Sequence, residues 1–147
     1  MIIYLIPDFG VNKLSFGSSV EDMEFHFGVD NRRVVQNDDG TVNYFYDAID
    51  IMFEFCDNRL QGVSCDNPDC DLKGRYPVGE NIHVLQKLYN VSDFCVDSEH
   101  VIEDESGKYE MWSSSSINCI FGVQNGVVET VTIGVSYDDS LDPIFPV

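Results

Sequence analysis

The chain has 147 residues, with 8 Lys and Arg against 26 Asp and Glu, a formal net charge of −18. A surface this acidic repels phosphate backbones and anionic headgroups, which excludes nucleic acid and anionic membranes and points to a basic partner. With 44% hydrophobic and 12% aromatic residues the chain can build a core, and its length fits one domain, 1–147.

The apolar run at 1–7 is too short for a secretory core and has no basic lead-in. No segment reaches the length of a membrane span. Five cysteines (Cys56, Cys65, Cys70, Cys95 and Cys119) at irregular spacing fit reduced thiols, so a cytoplasmic location is expected. Residues 13–17 read as a short strand. In 18–28 a serine cap, acidic Glu21 and Asp22, apolar Val20, Met23 and Phe27, and a closing glycine predict a helix. Strand-like 32–36 turns at 37–40 into 41–47. Residues 49–56 then alternate, with Ile49, Ile51, Phe53 and Phe55 on one face and Asp50, Met52 and Glu54 on the other. A turn at 57–59 leads to a strand at 60–65.

After a connector at 66–79, residues 80–89 carry a helical stripe of Ile82, Leu85, Leu88 and Tyr89. Strands are predicted at 94–103, 108–114, 117–121 and 127–136, with turns at 104–107 and 124–126 and a tail at 137–147. Gly40 and Gly107 lie 67 residues apart, as do Asn58 and Asn125, and Phe45 and Trp112. The expected fold is α+β, an antiparallel sheet built from two tandem helix-plus-three-or-four-strand repeats over 13–65 and 78–136. Both helices would lie on one face, leaving the other polar. A non-repeating α+β sheet is the alternative.

Chemistry is sparse. His26 and His83 fall inside the predicted helices, and His100 in an acidic strand without a nucleophile beside it in sequence. Cys65-Asp-Asn-Pro-Asp-Cys70 lacks a second ligand pair for zinc and reads as a turn. Asp38-Asp39-Gly40 lacks the rest of a calcium loop, and there is no glycine-rich phosphate loop. The expectation is therefore no enzyme, no cofactor and no metal.

What remains is the acidic surface. Asp38 and Asp39 sit on one predicted hairpin tip and Glu103, Asp104 and Glu105 on the matching one. Asp47, Asp50 and Glu54 fall on the polar sheet face, and Tyr44, Tyr46, Tyr109 and Trp112 lie on the strands between. These residues are the expected partner-binding set, since exposed aromatics make good interface anchors.

In size, acidity and lack of a catalytic constellation the chain resembles the small immunity proteins of bacterial polymorphic toxins, particularly those of contact-dependent growth inhibition. The repeat, with helix starts at Ser18-Ser-Val-Glu-Asp and Pro77-Val-Gly-Glu, also resembles the tandem α/β repeats of β-lactamase inhibitory proteins. The first resemblance implies a one-to-one complex with a cognate toxin domain, most often a basic nuclease, and carries no residue-level motif. The expected function is thus neutralisation of such a toxin through the acidic surface, with charge complementarity speeding encounter. An acidic regulatory module is the alternative, and a hydrolase built on His83 or His100 a third.

Overall fold

A computed structural model describes residues 2–146, so Met1 and Val147, the ends of the expected domain, lie outside it. The chain opens with β1 (Ile3–Ile6), β2 (Gly10–Val11) and β3 (Leu14–Ser15), followed by α1 (Val20–Phe27). Four strands follow: β4 (Arg33–Gln36), β5 (Val42–Tyr46), β6 (Ile51–Cys56) and β7 (Arg59–Cys65). Then come β8 (Cys70–Leu72), α2 (Ile82–Tyr89), β9 (Cys95–Val96), β10 (Ile102–Asp104), β11 (Gly107–Ser114), β12 (Cys119–Gln124) and β13 (Val127–Gly134). A short ribbon, β14 (Ser136–Tyr137) and β15 (Pro143–Ile144), ends it.

The α+β expectation of two helix-plus-strand repeats is corrected: the protein is mostly β, with two helices of eight residues each among the described residues. A nine-stranded antiparallel sheet runs β10-β11-β12-β13-β7-β6-β5-β4, with β9 paired to β11. A second sheet, β3-β2-β1-β8, is built, apart from β3, from segments that the repeat scheme leaves out. Its β1–β8 pair is parallel and joins Ile3 to Cys70 and Leu5 to Leu72. Pairing so distant in sequence leaves no local pattern, because the two strands are too short to show a period and sit far apart in the chain.

The inner face of the large sheet is the alternating apolar row. Ile51, Phe53 and Phe55 of β6 lie beside Leu60, Val63 and Cys65 of β7, with Val131, Ile133, Cys119 and Phe121 beyond. Both helices and the small sheet cover this face. Met23 of α1, Ile82 and Leu85 of α2, and Ile3, Leu5, Val11, Leu14 and Leu72 complete one core. Fully burying each phenylalanine contributes on the order of 1.5–3 kcal/mol. Helix α1 starts at a capping box, where Ser19 and Asp22 bond each other's backbone N–H, and Asn81 caps α2 through the N–H groups of His83 and Val84. The expected strand at 49–56 begins only at Ile51, since residues 47–49 form a 3-10 turn closed by Asp50 at φ 52°.

Candidate functional site: the open face of the large sheet

The opposite face of the nine-stranded sheet has no covering layer among the described residues. Register places Phe45 opposite Met52, Met52 opposite Ser64, Ser64 opposite Thr132, Thr132 opposite Ile120 and Ile120 opposite Ser113, all on this side. Four shallow hollows lie along it. The first, about 350 Å³, is lined by Arg33, Phe45, Asp47, Asp50, Met52 and Asp66, and also by Ser64. It shares Met52 and Ser64 with a second of about 190 Å³, which holds Glu54 and Tyr137. That one shares Thr132 and Gly134 with a third of about 260 Å³, which shares Ser113 and Ile120 with the last, where Asp97 and His100 stand. Together they form one trough across the strands, roughly 30 Å long at about 4.8 Å per strand.

The floor at its centre is glycine. Gly62 and Gly134 lie opposite each other on β7 and β13, two interior strands. Neither has the left-handed backbone that would demand glycine; a Cβ on Gly62 would meet Glu54 and Ile133 at an ordinary 3.7 Å. Glycine in a strand interior costs about 0.5–1 kcal/mol relative to alanine and often marks close approach by another group. Gly122 differs, because Tyr109 lies over it and a Cβ there would strike the phenol oxygen.

Charge is concentrated at the ends. Arg33 donates to Asp47 from Nε at 2.6 Å and from Nη2 at 3.0 Å, and its guanidinium lies 4.5 Å from the centre of the Phe45 ring. That pairing holds the Asp47 carboxyl below its usual range. Thr130 donates its hydroxyl to Asp66 at 2.6 Å, while the Asp66 N–H donates to the Asp50 carbonyl. Burial, with Asp39 nearby, pushes the Glu54 carboxyl up, so its charged form is poorly solvated where it stands. At the far end His100 meets Asp97 at 2.6 Å, and the Cys95 thiol partners the Ser113 hydroxyl at 3.5 Å. Among the described residues no thiol or hydroxyl is hydrogen-bonded to a histidine ring. No cluster of three metal-ligating side chains occurs among them either.

The expected partner-binding residues divide. Asp47, Asp50 and Glu54 line the trough, and Tyr109 lies on the same face. Tyr44, Tyr46 and Trp112 point inward. The Tyr46 hydroxyl donates to the Gly28 carbonyl at 2.6 Å, Tyr44 packs edge-on to Phe55, and Trp112 stands against His83 of α2. The inward residue of an antiparallel pair is set by its partner, and Tyr44 opposes buried Phe53 just as Trp112 opposes Phe121. The two acidic tips do not meet. Asp38 and Asp39 close the β4–β5 hairpin and Glu103, Asp104 and Glu105 the β10–β11 hairpin, on opposite edges of the sheet and at opposite strand ends. One carboxylate on each tip serves its own turn. Asp39 accepts from the Thr41 N–H and hydroxyl and Asp104 from those of Ser106, which lowers both carboxyls. The sequence reading missed Asp66, Thr130, Ser64, Thr132, Gly62 and Gly134. Their signal was small residues alternating with the buried row in the two central strands.

No family model and no curated protein matches this chain. Among solved structures it is similar to an extracellular protein containing an SCP domain from Bacillus anthracis str. Ames. The TM-score is 0.52 at 10% identity, covering 89% of this chain and 49% of that one. A cysteine-rich secretory protein from Staphylococcus aureus subsp. aureus Mu50 aligns over 90% of this chain and 49% of its own, at 14% identity and a TM-score of 0.48. The first likeness shows a shared fold; the second is too low to carry an argument. The chain spans about half the length of both. The first neighbour is described as an extracellular protein containing an SCP domain, not as an immunity protein or inhibitor, which overturns the resemblance to immunity proteins and to β-lactamase inhibitory proteins. With that resemblance falls the expected function of neutralising a toxin. The expected cytoplasmic location is likewise corrected, since the first neighbour, described as extracellular, points away from it.

Proposed function

We propose that this chain is a non-catalytic binding domain whose trough holds an extended, cationic segment of another protein, one segment to one domain. The observation that carries this is the glycine-floored trough with carboxylates along it. Asp50, Asp66 and Glu54 have no cation beside them in the lining except Arg33, which is already paired with Asp47. On a chain of net charge −18, lysine or arginine side chains would be drawn to this face and acidic segments repelled. The apolar contribution would come from Phe45, Met52 and Ile120, spaced along the same line. A length near 30 Å accommodates about nine or ten extended residues at 3.3 Å each.

The test uses two ten-residue peptides, one alternating lysine with valine and one alternating glutamate with valine, titrated while backbone amide shifts are followed. Saturable binding of the lysine peptide, with shifts at Gly62, Ser64, Ile120 and Gly134, is the expected result. Three outcomes would overturn the proposal: equal binding of the glutamate peptide, shifts confined to the small sheet, or saturation by a neutral polysaccharide with no response to either peptide.

A further inference from the structure

Five cysteines at irregular spacing read, in sequence, as independent thiols, but the fold treats them unequally. Cys95 is exposed and Cys56 half-buried, while Cys65, Cys70 and Cys119 are buried. Cys65 is the last residue of β7 in the large sheet and Cys70 the first of β8 in the small one, each at 0% exposure. The segment between them doubles back. The Cys70 N–H donates to the Asn67 carbonyl at 3.0 Å, the Asp69 N–H donates to the Asn67 side chain, and the Asn67 amide donates to the Ile49 carbonyl. This turn sets the two thiols beside each other, near enough for each to shift the other's ionisation. Cys119, the third buried thiol, acts on neither of them.

We propose that Cys65 and Cys70 are a disulfide site, oxidised when the chain folds in an oxidising compartment, which staples the large sheet to the small one. The bond forms by thiol–disulfide exchange with an oxidant of the disulfide class, such as oxidised glutathione. One thiol loses its proton and attacks a sulfur of the oxidant, releasing one glutathione thiolate. The second cysteine, also deprotonated, then attacks the mixed disulfide and releases the other. Two protein thiols are oxidised, two glutathione thiols are formed, and the protein loses two hydrogens. Cys65 is the suited nucleophile, because the neighbouring Cys70 thiol and the Asn67 backbone hold its ionisation below the usual thiol range. Burial and the same contact push the Cys70 thiol the other way. Both sulfurs are closed to solvent in the folded chain, so exchange precedes final packing or waits for the 66–69 turn to open.

The experiment refolds the full chain in a glutathione redox buffer, alkylates it after denaturation without reductant, and maps tryptic peptides. Cleavage after Arg59 and Lys73 yields peptide 60–73, which contains Cys65 and Cys70 and no other cysteine. The expected peptide is unalkylated and two hydrogens lighter than its reduced form. The oxidised protein should also melt about 4–8 °C above the same protein in dithiothreitol, from closure of a short loop in a domain this size. The Cys65→Ser, Cys70→Ser variant should lose that dependence on reductant, while peptide mapping decides the matter even if this variant folds poorly. Alkylation of both cysteines in peptide 60–73, or a bond from either to Cys119 or Cys95, would overturn the proposal.

Discussion

The two faces of the large sheet are made by the same strands yet obey different rules. On the covered face the central strands carry apolar, buried side chains, and Phe53, Phe55 and Phe121 are closed to solvent. On the open face the same strands carry Glu54, Gly62, Ser64, Thr132 and Gly134. The difference teaches what each face is for. A face that only needed solubility would be filled with charged or branched side chains at little cost, whereas Gly62, where a Cβ would meet nothing nearer than 3.7 Å, gives up strand stability to leave space.

Four substitutions test that contrast. The largest effect belongs to the covered face: Phe121→Ala should cost about 3–5 kcal/mol, read from chemical denaturation midpoints. Gly62→Val should leave the fold within about 1 kcal/mol of the parent while weakening binding of the lysine–valine peptide at least about tenfold. If stability fell as far as in Phe121→Ala, the glycine would be a packing requirement and the contrast would fail. A several-fold loss of affinity is expected for Asp66→Asn, shrinking as salt rises, because that carboxylate acts through charge. Smallest is a pH effect at Glu54. Its ionisation is raised in the fold, so the contribution of this carboxyl declines as pH climbs from the ordinary glutamate range through the raised value. Glu54→Gln should therefore be slightly more stable than the parent at neutral pH, with the gap closing in acid. Thermal midpoints between pH 4 and pH 8 would reveal it, and a gap that widened in acid would contradict the sign.

Much of the covered face was legible in the chain. The alternation at Ile51, Phe53 and Phe55, the serine cap and the Asn-Asp-Asp-Gly turn all act over a few residues, and each predicted feature stands near where its pattern lay. The small sheet was not legible, because β1 finds β8 across most of the first half of the chain and neither strand is long enough to show its period. The trough was hidden for another reason. A binding face made of missing side chains offers no motif, and Gly62 and Gly134 look like ordinary breakers until register sets them opposite each other. Tyr44 and Tyr46 point inward rather than outward, which β5 did not announce, because Val42, Tyr44 and Tyr46 share the strand with Phe45 on its other side and both faces carry large side chains.

The edge strand β4 is exposed at all four residues and offers one row of unpaired N–H and C=O groups to anything that can align with it. Asp38 and Asp39 stand at one end of that row, and Glu103, Asp104 and Glu105 guard the hairpin on the far edge. Carboxylates that are too scattered to form a binding patch are well placed to keep two copies from continuing each other's sheet. Screening or neutralising them would weaken that protection, and the exposed edge would then be the first place for strands of two copies to pair.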